Sequence, residues 1–482
     1  MATTATHRLT TGSVIDGFTI GALAHRGGMA RLWHVTHPDI DFPLVMKVPM
    51  IGEGDDPAAI VSFEMEQMIL PRLSGPHVPR FVANGDFSTQ PYIVLEQLPG
   101  TSLYPMLERL PLPPDEVAAL GASIATALSA LHRQFVVHLD VKPSNVLFRE
   151  TGEAVLIDYG LARHTQLPDL MDEEFRLPYG TAPYMAPEQV MGTRSDYRSD
   201  LFALGVLLYF FATGRRPFGD PQRLSGLKRR LWRDPVPPRA LNAAISPEFQ
   251  EVILRCLEVN PAARHPSAAQ LALELKDLSA VPLTARAARL SRDGFFKVLK
   301  RRFDPDRMEA MRPQQAAAHL AGAPIVAVAI DVNDGAPELA DALLRTVQRV
   351  VETTPNARIA CLNVLKLNRI ALDHTLDEEG RNKHVQRLVA LKAWARPLGA
   401  AEGAVTFHVI EAVSPAEAIL EFARENQVDH IVMGARAAST MRSLLGSVSG
   451  EVAAHAPCTV TVVRRPYVAP PEGAGGAEDM RA

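Results

Sequence analysis

His138-Leu139-Asp140-Val141-Lys142-Pro143-Ser144-Asn145 sets an acid, a base and an amide around a proline within one short stretch. Thirteen positions beyond Asn145 (158 minus 145), Asp158-Tyr159-Gly160 follows the apolar run Ala154–Ile157, so a second acid stands at the end of a strand. Taken singly, these pieces are a polar turn and a strand-end aspartate. Together at this spacing they place two carboxylates, a lysine and an asparagine on loops beside a strand, where side chains can converge on a ligand.

Outward from this stretch the chain changes character twice. Phe18–Ile20, Leu44–Val48 and Tyr92–Leu95 are short β-type runs, whereas Glu116–His132 and Leu201–Thr213 carry helical periodicity. Strands first and helices after predict a two-lobed α+β body. Beyond Leu278, the segment Ala285–Phe303 holds Arg286, Arg289, Arg292, Lys297, Lys300, Arg301 and Arg302 against Asp293, with Leu290, Phe295, Phe296, Val298, Leu299 and Phe303 between them. After Pro324, strands alternate with helices. Ile325–Ile330, Arg358–Leu365, Val405–Ile410, His430–Met433 and Thr459–Val463 read as strands; Glu338–Glu352, Asn382–Ala395, Pro415–Asn426 and Gly446–His455 read as the helices between. That alternation predicts a parallel doubly wound sheet with helices on both faces. The expected division is a disordered tail at 1–12, a first domain at 13–278, a basic linker helix at 279–322, a second domain at 323–465 and a disordered Pro/Gly/Ala-rich tail at 466–482.

Composition bounds the function. At 482 residues, two or three domains are expected. A hydrophobic share of 47% with 22% charged residues is that of a globular protein, and a net charge of −4 argues against bulk attraction to nucleic acid. Cys256, Cys361 and Cys458 are too few and too scattered for a disulfide framework or a zinc site. The N-terminal stretch lacks the apolar run of a secretory signal, and the longest apolar run, Leu201–Ala212, is too short to span a bilayer. A cytoplasmic location is expected.

From Phe18 to Leu278 the chain resembles the protein kinase family, on the residues already quoted and on several more. The resemblance implies a bilobal fold that transfers the γ-phosphate of ATP, with Mg2+ (Mn2+ an allowed substitute), to serine or threonine of a protein substrate. Asp140 would orient the acceptor hydroxyl and take its proton, Lys142 would neutralise the moving phosphoryl group, and Asn145 and Asp158 would hold the metal. Lysine at 142 is the serine/threonine signature. Upstream, Lys47 of Leu44-Val45-Met46-Lys47 would pair with the α- and β-phosphates, held by Glu66 in the helical segment Phe63–Leu73, with Glu64 the competitor. Glu96 and Leu98 fall where the family lines the nucleotide. Downstream, Gly180–Glu188 resembles the end of the activation loop, with Tyr159 and Gly160 at its start. Thr181 would flank the acceptor site, Glu188 would pair with Arg264, and Asp200 would anchor the catalytic-loop backbone.

Two departures qualify the resemblance. The phosphate-covering loop His25-Arg26-Gly27-Gly28-Met29-Ala30 keeps Gly27 of the three family glycines, with Gly28 adding local freedom, so a weaker nucleotide grip is expected. Leu139 replaces the arginine that receives a phosphorylated activation loop in many regulated kinases, and Leu161–Pro178 has one hydroxyl residue, Thr165. Control by loop phosphorylation is therefore not expected. A pseudokinase, or a nucleotide-responsive stress adaptor or scaffold, is the alternative reading.

From Pro324 to Arg464 the chain resembles the universal stress protein family, a flavodoxin-like fold whose members can dimerise through the last strand. Ile325–Asp331, Val432-Met433-Gly434-Ala435-Arg436, Gly446-Ser447 and Ala454–Val463 carry the likeness. Asp331, Gly434, Gly446 and Ser447 would form a nucleotide site at the strand ends. Nucleotide-binding members share G-x-x-G, nine residues, then G-[ST]. Here Ala437 replaces the second glycine and the spacer is one residue short, so anion binding at Gly446 is the firmer expectation. In the basic linker, the aromatics are expected to dock on a domain with the charges facing water, in preference to contact with a membrane surface.

Overall fold

The computed structural model of the 482-residue chain describes residues 9–51, 57–100, 102–175, 179–303, 323–332, 336–354, 356–367, 376–377, 381–400, 403–435 and 446–464. The chain divides into two compact units, Met1–Gly322 with Thr375–Asn382, and Ala323–His374 with Lys383–Ala482.

The first unit begins with β1 (Val14–Ile15), β2 (Phe18–Arg26), β3 (Ala30–His37), β4 (Ile40–Pro49), α1 (Pro57–Ile69), β5 (Phe81–Gly85) and β6 (Tyr92–Glu96). Its strands form an antiparallel sheet in the order β1-β2-β3-β4-β6-β5. Leu44, Met46 and Val48 alternate along β4 and bury one face with Trp33, Val35, Tyr92 and Val94. The period of two then turns Lys47 to the other face.

A helical lobe follows: α2 (Pro114–His132), β7 (Val136–Val137), β8 (Val146–Phe148), β9 (Ala154–Leu156), β10 (Arg163–His164), α3 (Leu170–Glu174), α4 (Pro187–Val190), α5 (Arg198–Thr213), α6 (Leu224–Leu227), α7 (Pro238–Leu241), α8 (Pro247–Cys256), α9 (Ala268–Lys276) and α10 (Phe295–Arg302). The apolar run Leu201–Ala212 is the buried centre of this lobe, in α5, which packs against α2 and α8. Gly214, at φ 69°, ends α5 in the left-handed conformation that glycine adopts without a Cβ penalty. The hairpins β7–β10 and β8–β9 carry the loops that hold the quoted motifs.

The second unit contains β11 (Ile325–Ala329), α11 (Pro337–Thr353), β12 (Arg358–Lys366), α12 (Lys383–Ala395), β13 (Val405–Ala412), α13 (Pro415–Glu425), β14 (His430–Gly434), α14 (Ser447–His455) and β15 (Thr459–Val463). All five strands are parallel, in the order β13-β12-β11-β14-β15. The order reverses between β11 and β14, which opens a crevice at their carboxyl ends.

Two expectations need correction. Leu9–Gly12 is ordered rather than a tail: the Gly12 amide donates to Ile20 O at 2.8 Å and Thr11 Oγ1 to Gly21 O at 3.0 Å. The basic segment is not one linker helix over 279–322: among the described residues its α-helix is α10 (Phe295–Arg302), and its arginines pair with acids rather than face water. Arg286 bonds Glu251 (2.9 Å) and Glu258 (2.8 Å), Arg289 bonds Asp234 (2.9 Å), and Arg301 bridges Asp234 (2.8 Å) and Asp293 (2.6 Å). Phe296 and Phe303 are 84% and 72% exposed. The cause is the buried Glu251, a carboxylate that must be paired where it lies, so arginines rather than phenylalanines make the dock. Arg436, Ala437 and the tail at 466–482 lie outside the described residues.

Candidate active site

β4 delivers Lys47 and α1 delivers Glu66, with Lys47 Nζ 2.5 Å from Glu66 Oε2. Glu66, not Glu64, is therefore the partner. The same ammonium donates to Asp158 Oδ1 at 3.0 Å. Burial would lower the Lys47 pKa, but the charges of Asp158 and Glu66 outweigh it and raise it, so the ammonium stays charged. The Lys47 charge, ahead of the opposing cost of burial, holds the Asp158 carboxyl below the usual carboxylate range. Asp158 has φ 68°, a left-handed conformation that aspartate tolerates better than most residues. Behind it, Tyr159 is fully buried, donates to Leu156 O at 3.0 Å and sits 5.2 Å from the His138 ring. A Cβ on Gly160 would lie 2.1 Å from Ser62 Oγ of α1, so glycine lets the loop pass this helix.

Asp140 is 5% exposed and gathers the rest of the site. Lys142 Nζ donates to its Oδ2 at 2.6 Å and Asn145 Nδ2 to the same oxygen at 3.0 Å. Thr181 Oγ1 donates to Oδ1 at 2.7 Å, and Lys142 also reaches Thr181 Oγ1 at 3.1 Å. A hydroxyl thus stands within proton-transfer distance of the carboxylate, with an ammonium beside both. Asn145 Nδ2 is committed to Asp140, and its amide oxygen, which accepts from Ser144 Oγ at 3.1 Å, keeps a second lone pair for a cation. That oxygen and the Asp158 carboxylate, 46% exposed, are hard oxygen donors of the kind a divalent cation takes when it arrives with phosphates.

The scaffold beneath is polar and buried. Asp200 accepts from the His138 amide (2.9 Å), the Leu139 amide (2.8 Å) and His132 Nε2 (2.8 Å). Gln189 Nε2 donates to Leu139 O at 2.9 Å, and Arg264 clasps Glu188 through two bonds of 2.6 and 2.8 Å. Arg230, 1% exposed, donates to Met185 O and, at 2.7 Å, to Ala182 O; burial pushes its pKa down to about 10. Sequence reasoning missed Arg230, since an arginine in Lys228-Arg229-Arg230 reads as a surface charge.

At the lid, the Gly27 amide closes the β2–β3 turn on Ala30 O at 2.9 Å, and a Cβ on Gly27 would meet that oxygen at 3.3 Å. Gly28 is open. The Glu96 side chain is committed to Arg149, at 2.5 and 3.0 Å, so any nucleotide contact there falls to backbone. Leu98 lies half-buried just beyond β6.

In the second unit, Asp331, Gly434, Gly446 and Ser447 come together around a cavity of about 420 Å3, as the strand order requires. Gly446 caps α14, and a Cβ on Gly434 would meet Leu339 Cδ2 at 3.0 Å. Two further polar groups were not anticipated. Asn363 lines the cavity and donates to Ile330 O at 2.9 Å, while Arg387 stands 3.5 Å from Asp331 Oδ1. Both lie inside amphipathic patterns that read as structural.

A two-lobed body with a lysine–glutamate pair, an aspartate-centred loop and a second aspartate beside the lysine has the layout of a nucleotide-dependent phosphotransferase. Residues 26–274 match the protein kinase domain family, and the chain belongs to that family; residues 322–464 match the universal stress protein family. The serine/threonine-protein kinase PknL of Mycobacterium tuberculosis is 30% identical over 263 residues, covering 54% of this chain and 65% of the relative. PknB of Mycobacterium leprae is 29% identical over 265 residues, 54% of this chain and 42% of the relative. The chain thus spans less than two-thirds of the length of these curated relatives. The PknI kinase domain of Mycobacterium tuberculosis aligns at 24% identity with a TM-score of 0.43, over 56% of this chain and 99% of that one.

Proposed function

We propose that the chain is an active serine/threonine protein kinase that uses Mg2+-ATP, with Mn2+ an allowed substitute, and that its stress-protein unit regulates it. The observation that carries this is Asp140, whose carboxylate is held by Lys142 at 2.6 Å and by Thr181 Oγ1 at 2.7 Å beside the expected acceptor position. Asp140 orients the acceptor hydroxyl and accepts its proton. Lys142 stabilises charge on the moving group, and Lys47, fixed by Glu66, holds the α- and β-phosphates. Magnesium held by Asn145 and Asp158 would supply charge neutralisation at the β- and γ-phosphates. Gly27 and Gly28 cover the phosphates, and the backbone around Glu96 and Leu98 edges the base. A pseudokinase would not need Lys47, Glu66, Asp140, Asn145 and Asp158 all assembled, so the scaffold reading has less support.

Phosphoamino-acid analysis after incubation with Mg2+-ATP tests the acceptor class. Phosphoserine or phosphothreonine is expected; phosphotyrosine or no label would contradict the reading. The second unit binds a phosphate-bearing ligand at Asp331, Gly434, Gly446 and Ser447, and pairs with a second copy through β15, an edge strand of its sheet. Concentration-dependent sedimentation checks the pairing. Protein substrates and a cytoplasmic setting complete the reading. Three free cysteines are consistent with that setting, and no helix among the described residues is long and apolar enough to cross a membrane.

A further inference from the structure

The activation loop has lost its phosphate receiver at Leu139, which is 4% exposed and apolar, yet its described part is tightly held. Asp169 accounts for this. Its carboxylate is 6% exposed, deep for an acid in a loop. Oδ2 accepts from Arg194 Nε at 2.8 Å, and Arg163 Nε stands 3.9 Å from the same oxygen. Oδ1 accepts from the Asp172 amide at 3.4 Å and so caps α3. Arg194 also donates from Nη2 to Leu161 O at 2.9 Å. One acid therefore ties the start of the loop, the short helix within it and the chain beyond α4. Leu170 and Met171, next to it, are 3% and 2% exposed, and α3 packs on α1, the helix that carries Glu66.

We infer that Asp169 is a positioning residue that does permanently what a phosphate does on demand elsewhere: it gathers two arginines and locks the activation loop in its transfer-competent form. A buried acid between guanidiniums suits this work, since charge-assisted hydrogen bonds to arginine are geometrically specific. Losing it leaves Arg163 and Arg194 facing each other without a counter-charge, which repels the loop from its seat. The inference rests on the kinase reading of the first unit.

The test uses the full chain with Mg2+-ATP and casein as acceptor. Wild type is compared with Asp169→Asn, Asp169→Glu, Asp169→Arg and the swapped pair Asp169→Arg with Arg194→Asp. Three quantities are read: kcat, KM for ATP, and the rate of protease cleavage between residues 161 and 179. Asp169→Asn should lower kcat by about tenfold or more with KM for ATP within about twofold, and should speed cleavage. Asp169→Glu should keep much of the activity, and the swapped pair should exceed Asp169→Arg. Phosphatase treatment of wild type should change nothing. The inference falls if Asp169→Asn matches wild type in kcat and cleavage within about twofold, or if phosphatase abolishes activity. Should Asp169→Asn fail to fold, the glutamate and swapped variants decide. A wild type without transfer would sink the kinase reading, and loop cleavage would still judge the latch.

Discussion

Lys47 sits between two carboxylates of different exposure, and this asymmetry predicts how its loss will be felt. Glu66 is 2% exposed and Asp158 is 46% exposed as side chains. Lys47→Ala should cut transfer by about a hundredfold or more, and should also cost on the order of 3 kcal/mol because Glu66 is left buried and unpaired. Chemical denaturation monitored beside the kinetic assay separates the two effects. Asp200 answers to the same logic. It is fully buried and holds the amides of His138 and Leu139, the latter at φ 63°, a conformation costly for leucine. Asp200→Ala should lower the unfolding free energy by roughly 2–5 kcal/mol, read from the urea midpoint. These residues were legible in sequence because each falls in a short motif with fixed spacing. Arg194, Arg230 and Arg387 were not, because their meaning comes from what folds over them, and an arginine outside a motif carries no sign of its burial.

At the scale of elements, periodicity decided most of the fold. The β-type run Leu44–Val48 lies in β4, the apolar run Leu201–Ala212 lies in α5, and the strand–helix succession after Pro324 recurs with ends shifted by one or two residues. The segment Ala285–Phe303 did not, because its pattern supports two faces and the sequence does not show which face meets Glu251 and Asp234. Asp293 offers a check on that docking. Burial would raise its pKa, but Lys297, Arg289 and Arg301 together hold it down to about 2. A carboxylate depressed on folding stabilises fully above its ordinary value near ~4 and stops doing so as pH falls toward about 2. The urea midpoint of Asp293→Asn should therefore lie below that of wild type at pH 6 and converge on it only as the pH falls to about 2. In the activation loop, Thr165→Ala should leave the transfer rate within about twofold, since Thr165 is not the group that holds the loop. A large loss in the phosphorylation assay would reassign it.

At the scale of the molecule, two folds with separate cores share one chain. Each can be read from its own motifs, but how the second influences the first is not written in either. The cavity at the ends of β11 and β14 gives the coupling a handle. Gly446→Asp places a carboxylate at the cap of α14 and should abolish binding of the phosphate-bearing ligand proposed for the second unit. Isothermal titration should then lose one class of site and keep the one that depends on Lys47. The central claim is transfer itself, and the most direct measurement is the initial rate of labelled phosphate transfer from Mg2+-ATP by wild type beside Asp140→Asn. The account predicts steady labelling of wild type and a fall of about a thousandfold or more in the variant. Equal rates in the two, or no transfer by wild type, would contradict it.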